Sequence, residues 1–275
     1  MKGVLYVVAT PIGNLEDITL RALKVLKEVD LIAAEDTRHT LKLLTHYGIR
    51  KKLVSYWSGR EKLKAGEITA RLDEGLSVAL VSDAGTPGIS DPGGELIRRA
   101  IEQEIEVVAV PGPSASVAAL SISGLDTREF VFIGFLPAKK TERAKKLAAL
   151  ALEERTLVFY EAPHRLLETL SDMITAFTGG RRAVVVKEIT KIHEETIRGS
   201  LEEALAEMES ETVAGEYVIA VAGREKRAAE PAIGEALAEM SALMKKGLGR
   251  KEAAKSVARS YGLAVNELYE RSLKE

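Results

Sequence analysis

The feature that most constrains this chain is a series of short, nearly unbroken apolar runs at 4–8, 31–34, 53–56, 78–81 and 107–110, separated by stretches of helical spacing at 18–29, 40–47, 61–74, 94–102 and 114–121. A run without a polar face is what a parallel strand shows when helices cover both sides of its sheet. The first part therefore reads as an α/β unit. After Gly124-Leu125-Asp126-Thr127 the rhythm resumes, with strands expected at 130–134, 156–160, 183–188, 194–199 and 217–222 and helices at 141–152 and 165–177. The chain around Lys191 and before Tyr217 predicts a mixed rather than a purely parallel sheet here. A charged linker ending in Pro231 then leads to three short helices at 233–244, 251–260 and 265–273, with Gly262 placed as a helix-terminating C′ glycine. The expected organisation is an N-terminal α/β domain at 1–126, a second α/β domain at 127–223 and a small helical domain at 232–275.

Composition narrows the function classes. With 46% hydrophobic and 29% charged residues, and no apolar stretch near the roughly 18 residues of a membrane span, an integral membrane protein is excluded at this level. The balance of 39 basic against 41 acidic residues, net −2, argues against coating nucleic acid through overall charge, while leaving local basic patches open. No cysteine is present, which removes disulfides, thiolate metal sites and cysteine nucleophiles and fits a reducing cytoplasm. The opening Met1-Lys2-Gly3 runs directly into Val4-Leu5-Tyr6, without a signal-peptide pattern, so the mature protein is expected to start there. Its 4 histidines are dispersed with no His-x-His spacing, and no catalytic metal is expected.

Several strand ends carry loops suited to chemistry. The first, Ala9-Thr10-Pro11-Ile12-Gly13-Asn14, is neither a dinucleotide fingerprint nor a phosphate loop, but it lies where ligands of open α/β sheets usually sit; an ordinary tight turn is the alternative. The fourth strand opens into a long Gly- and Pro-rich segment, Ser82-Asp83-Ala84-Gly85-Thr86-Pro87-Gly88-Ile89-Ser90-Asp91-Pro92-Gly93-Gly94. Within it Asp91-Pro92 reads as an N-cap followed by a first helical proline. Asp83 has no such duty and suits accepting hydrogen bonds from ribose hydroxyls or orienting a neighbouring loop. The fifth strand ends in Pro111-Gly112-Pro113-Ser114-Ala115, so three strand ends carry small residues that let a ligand approach the backbone.

At the second strand end, Ala34-Glu35-Asp36-Thr37-Arg38-His39-Thr40, either Asp36 or Thr37 caps the next helix, or Asp36 is a carboxylate kept ionised by Arg38 and able to accept a proton. From Arg38 to Lys64 basic residues cluster around Tyr56 and Trp57, including Arg60, a pattern that suits single-stranded RNA as well as a solvated face. Near the C-terminus Lys251, Lys255 and Arg259 recur one helical turn apart, forming a stripe that fits a phosphate backbone or an ordinary outer face.

Taken in order, Thr10-Pro11-Ile12-Gly13-Asn14-Leu15, Ala34 to Thr40, Val81 to Gly93, Pro111-Gly112-Pro113, Gly134-Phe135-Leu136-Pro137-Ala138-Lys139, Tyr160-Glu161-Ala162-Pro163-His164-Arg165 and Glu188-Ile189-Thr190-Lys191 resemble the bacterial small-subunit (16S) rRNA cytidine ribose 2′-O-methyltransferase family, within the tetrapyrrole (corrin and porphyrin) methylase superfamily. The resemblance spans essentially the whole chain. It implies two α/β domains of the tetrapyrrole methylase type plus the small helical domain, S-adenosyl-L-methionine in the cleft between the two, a homodimer, and 16S rRNA or the small ribosomal subunit as partner. Carried over by motif, the cofactor contacts fall on Pro11, Ser82, Asp83, Ala84, Ile89, Ser114, Ala115, Tyr160, Glu161, Ala214 and Gly215, and Asp36 takes the place of a carboxylate proposed as proton acceptor in porphyrinogen-methylating relatives. Arg38, Trp57, Arg60, Lys251, Lys255 and Arg259 are the expected RNA contacts. One phrase departs from the family: Trp57-Ser58-Gly59-Arg60-Glu61 stands where a His-x-His-Asn-Glu phrase is usual. Methylation of a tetrapyrrole precursor is the alternative activity, and a non-enzymatic RNA-binding assembly factor the alternative class.

Overall fold

A computed structural model describes residues 1–210, 212–225, 230–261 and 263–273, with the backbone alone at 60 and 230–232. The first sheet holds β1 (Val4–Val8), β2 (Leu31–Ala34), β3 (Lys52–Ser55), β4 (Val78–Val81) and β5 (Glu106–Val110) in the order β3-β2-β4-β1-β5. Every pairing in it is parallel, and its inner strands β2 and β4 are buried on both faces. Helices α1 (Leu20–Glu28) and α2 (Thr37–His46) cover one face through Val25, Leu26, Leu43 and Leu44, while α3 (Glu61–Asp73) and α4 (Gly94–Glu102) cover the other through Ile68, Leu72, Leu96 and Ala100. Each such fully buried aliphatic side chain stabilises the layer by about 1.5–3 kcal/mol relative to exposure.

The order makes β4, β1 and β5 neighbours, so the three loops rich in small residues emerge side by side at one sheet end. The first two are stitched together there. Thr10 and Gly85 exchange backbone hydrogen bonds of 2.9 and 3.1 Å, and the Thr10 hydroxyl donates to the Ser82 carbonyl. Gly85 takes a left-handed φ of +75°, which a side chain would strain.

After α5 (Ala115–Ser123) comes a second sheet of β6 (Phe130–Phe135), β7 (Thr156–Glu161), β8 (Arg182–Lys187), β9 (Glu195–Ser200) and β10 (Tyr217–Val221), ordered β6-β7-β10-β8-β9. It is mixed: β6 and β7 run parallel and the other pairs antiparallel. Helices α6 (Lys140–Leu150), α7 (Leu166–Phe177) and α8 (Leu201–Glu209) supply Leu147, Leu170, Met173, Leu201 and Ala204 to the core on one face. The other face is covered by α5, whose Ala119 and Leu120 pack with Ile12 against Val158, Val184, Val218 and Ala220. A helix that ends the first βα series therefore belongs to the second sheet's core. Both sheets accordingly form one compact unit, Met1–Arg224, and Glu225–Glu275 forms another. In that second unit α9 (Glu230–Lys245), α10 (Arg250–Tyr261) and α11 (Val265–Arg271) close on Ala236, Met240, Ala254, Val257 and Leu268.

Three readings of the sequence need revision. Asp91 does not cap a helix: α4 begins at Gly94 with Gly93 before it. Its first N–H groups are served from the segment after β3, Gly93 N–H donating to Glu61 Oε1 at 2.9 Å and Leu96 N–H to the Tyr56 hydroxyl at 3.2 Å. Tyr56, grouped by sequence with the exposed aromatics, is fully buried in that role. Helix α8 was not anticipated, although Ser200 and Glu203 form a capping box at its start. The reading of Gly262 as a C′ residue, and residues 226–229 of the linker, lie outside the described residues. Among the described residues no helix is long and apolar enough to cross a membrane.

Candidate active site

Where the loops after β1, β4 and β5 meet the second sheet, they enclose a cavity of about 410 Å³. The first half contributes Ile12, Ala84, Gly85, Thr86, Ile89, Ser90, Asp91, Ser114 and Ala115, and the second half Phe135, Tyr160, Glu161, Ala162, Pro163, Ile189, Glu216, Tyr217 and Val218. Its wall contains three carboxylates and no lysine, arginine or histidine. Two large apolar side chains, Ile89 and Phe135, stay about half exposed there, at 51% and 54%. A site that large, mostly apolar with a few polar groups, is suited to a small organic molecule, and its charge selects a cationic one.

The second-half wall is fixed by saturated hydrogen bonding. Glu161 ends β7 almost completely buried; its carboxylate accepts from Ala162 N–H at 2.9 Å and from the Thr169 hydroxyl at 2.7 Å, with the Arg165 guanidinium 3.6 Å away. The Tyr160 hydroxyl accepts from Ser116 N–H at 3.1 Å, tying the start of α5 to β7. Glu216 pairs with Lys191 at 2.9 Å, and Lys191 also pairs with Glu188 at 2.7 Å. The Lys191 chain lies directly over Gly13, where a β-carbon would stand 2.4 Å from it.

The first-half wall is built differently. Ser90 and Gly88 hold φ near +65° and +81°, and the loop approaches β6 so closely that a β-carbon on Gly134 would stand 2.9 Å from the Ser90 hydroxyl. Behind it the acidic strand ends interlock: Asp36 N–H donates to Asp83 Oδ1 at 3.0 Å and Asp83 N–H to Glu35 Oε2 at 3.3 Å. Burial raises the Glu35 pKa, opposed by the hydrogen bond from Asp83 N–H and reinforced by the negative charges of Asp83 and Asp36. Burial also pushes Asp91 up to about 6, reinforced by the negative charges of Glu35, Asp83 and Glu216 and opposed by a hydrogen bond from Ser82.

Of the cofactor contacts read from the sequence, Ala84, Ile89, Ser114, Ala115, Tyr160 and Glu161 line the cavity. Pro11, Ser82 and Asp83 stand beside wall residues in the chain, and Glu216 to Val218 form the wall where Ala214 and Gly215 were named. Gly215, with φ of +91°, is packed against the Glu188 side chain. Asp36 is absent from the wall. It caps α2 by accepting from Arg38 N–H, and its carboxylate binds the Arg38 guanidinium at 2.8 Å, which holds its pKa far below the usual range. Sequence reasoning passed over Asp91 because the Asp-Pro pair looked like a helix start, and over Phe135 and Ile189, although the phrases containing them had been singled out.

The residues expected from the sequence to contact RNA fall into two groups. Arg38 and Trp57 are exposed, and the Trp57 ring folds over Gly59. The side chain of Arg60 lies outside the described residues. On α10, Lys251, Lys255 and Arg259 are all exposed while Ala253, Ala254, Val257 and Ala258 are buried, so the stripe is the outer face of the helical unit. Among the described residues no cluster of His, Asp and Glu is arranged to hold a metal ion.

The sequence profile of the Tetrapyrrole (Corrin/Porphyrin) Methylases matches residues 4–205. Among solved structures, the fold is similar to the methyltransferase CobJ, with a TM-score of 0.61 at 21% identity over 83% of this chain and 98% of that one. It is also similar to a cobalt precorrin-4 methyltransferase, with a TM-score of 0.59 at 18% identity over 80% and 94%. Much nearer in sequence are the ribosomal RNA small subunit methyltransferase I of Synechocystis sp., 48% identical over 99% of this chain and 98% of that one, and its Pseudomonas aeruginosa counterpart, 48% identical over 99% and 97%. The chain belongs to the tetrapyrrole (corrin/porphyrin) methylase family, in the branch that holds the ribosomal RNA small subunit methyltransferase I proteins.

Proposed function

We propose that this protein transfers a methyl group from S-adenosyl-L-methionine to the ribose 2′-hydroxyl of a cytidine in 16S rRNA. The observation that carries the substrate choice is one of coverage. The tetrapyrrole-modifying structures match 79–83% of this chain over nearly all of their own length, whereas the rRNA-modifying relatives match 97–100% of it. About a fifth of the chain thus has no counterpart in the former, and the helical unit with its exposed Lys251, Lys255 and Arg259 is of that size.

The cavity fits the methyl donor. A sulfonium with an α-ammonium group is cationic, and the wall opposes it with carboxylates and no competing cation. Ile89 and Phe135 offer their bare apolar surfaces to a purine, while Ser114 and Ala115 present the first turn of α5. Ala84, Tyr160 and Glu161 complete the walls, supported by Pro11, Ser82, Asp83, Ala214 and Gly215. The donor supplies a methyl carbon already activated by the sulfonium charge, so the chain's tasks are to place the hydroxyl in line and to take one proton. Arg38, Trp57 and Arg60 would meet the target nucleotide's surroundings, and the α10 stripe a phosphate backbone. A homodimer acting in the cytoplasm on rRNA or on the small subunit belongs to the same reading.

The test supplies donor labelled in its methyl group to the purified protein with unmodified small-subunit rRNA, with small subunits, or with a porphyrinogen. A 2′-O-methyl ribose blocks alkaline cleavage of the adjoining phosphodiester, so the expected product is label in an alkali-resistant dinucleotide beginning with cytidine. Label in the porphyrinogen alone would favour the tetrapyrrole reading, and donor binding without transfer to either would favour an assembly factor.

A further inference from the structure

We propose that Asp91 is the group that accepts the proton of the ribose hydroxyl, and that Asp36 organises the loops behind it. The inference rests on the methyl-transfer reading of the cavity and identifies which carboxylate serves it.

Three carboxylates reach the wall, and two are already engaged. Glu161 is enclosed by Ala162 N–H, the Thr169 hydroxyl and Arg165. Glu216 is held by Lys191. Asp91 pairs with no cation among the described residues; the Ser82 hydroxyl beside it donates to the Ala84 and Gly85 carbonyls at 3.2 and 3.4 Å. Nor does it serve the backbone of α4, because Glu61 and Tyr56 satisfy the N–H groups of Gly93 and Leu96 from a different segment. An Asp-Pro pair at a helix start is ordinarily consumed by capping. Here the capping has been handed elsewhere, and the carboxylate faces the cavity instead.

Asp36 is in the opposite state. It lies off the wall, caps α2 and binds Arg38 through both carboxylate oxygens, which leaves it a poor proton acceptor. Its carboxylate holds the start of α2, while its backbone N–H ties the β2 loop to Asp83.

The groups facing Asp91 come from three strand ends: Glu35 after β2, Ser82 and Asp83 after β4, and Glu216 before β10. Burial and the three like charges keep its proton affinity high, while at neutral pH it remains ionised. That is the condition a general base needs. In the step, the ribose oxygen forms a bond to the methyl carbon as the carbon–sulfur bond breaks. The electrons of that bond pass to sulfur, which becomes a neutral thioether, and the hydroxyl proton passes to Asp91 and later to water.

The test has two parts. In the donor-free protein labelled with 13C at aspartate carboxyls, one resonance should titrate near pH 6 and vanish in Asp91→Asn, against a usual aspartate value of about 3.9. In single turnovers with rRNA, Asp91→Asn should lower the rate on the order of 100-fold, with Asp91→Glu recovering part of it and Asp36→Asn losing less. The wild-type rate should rise with pH through 6 to a plateau. The inference requires both results. An Asp91 resonance in the ordinary carboxylate range, or an Asp91→Asn rate within twofold of wild type, overturns it. The titration needs no variant activity, so it stands even if the substitution perturbs the loop. Wild-type protein that methylates no rRNA defeats the underlying reading, whereas an active wild type with an equally active Asp91→Asn defeats Asp91 alone.

Discussion

The two walls of the cavity solve opposite problems. The wall from the parallel sheet is made of loops with left-handed backbone at Gly85, Gly88 and Ser90 and with carboxylates that repel one another. The wall from the mixed sheet carries polar side chains held by partners: Glu161 by three, Tyr160 by Ser116 and Glu216 by Lys191. A carboxylate saturated with donors holds a shape, whereas one left with like charges retains chemistry. Rigidity on one side is what lets the other side keep groups in unfavourable surroundings.

Substitutions can break this contrast, and the largest effect belongs to the saturated wall. Glu161→Leu strands the Ala162 N–H and the Thr169 hydroxyl and leaves the Arg165 charge with only the Leu136 and Pro137 carbonyls, and is expected to lower the unfolding free energy by about 3–5 kcal/mol in urea titrations. On the loop side, Gly85→Val forces a branched side chain into φ of +75° beside Ile12. It should destabilise by about 1–3 kcal/mol and, because Gly85 lines the cavity, weaken calorimetric binding of S-adenosyl-L-methionine more than stability alone explains. If Gly85→Val changes stability without changing binding, the loop wall is not the donor's wall.

Asp83→Ala removes the acceptor for Asp36 N–H and should cost about 1 kcal/mol of stability, with donor affinity falling about fivefold as the β2 and β4 loops loosen. The smallest effect should come from outside the cavity. Lys251→Glu combined with Lys255→Glu should leave stability and donor affinity at wild-type values, while rRNA affinity falls severalfold and its salt slope shrinks by roughly 0.7 per lost contact. Equal salt slopes for the two proteins would make the α10 stripe ordinary surface.

What could be read from the sequence follows from how local the cause is. The parallel strands declare themselves through uninterrupted apolar residues, and the ligand loops through Gly and Pro at their ends, so the first sheet and six cavity residues were legible in advance. The mixed sheet was legible as a class, but not in its strand order, which depends on pairings between distant segments. Asp91 was misread for the same reason. Its local signature says helix cap, and only the reach of Glu61 and Tyr56 from another βα loop overrules it. Phe135 and Ile189 carry no signal of their own in the sequence, because their place on the wall depends on how the two halves enclose the cavity.

The placement of α5 also has a consequence for how the protein is made. This helix is completed at Ser123, yet the strand that forms much of its docking floor, β10, is completed only at Val221. During synthesis at about 5–20 residues per second, the apolar side of α5 must wait while roughly a hundred further residues leave the ribosome. A released fragment ending at residue 126 would carry an uncovered Ala119–Leu120 face, and would bind a hydrophobic dye or a chaperone until the second half was supplied.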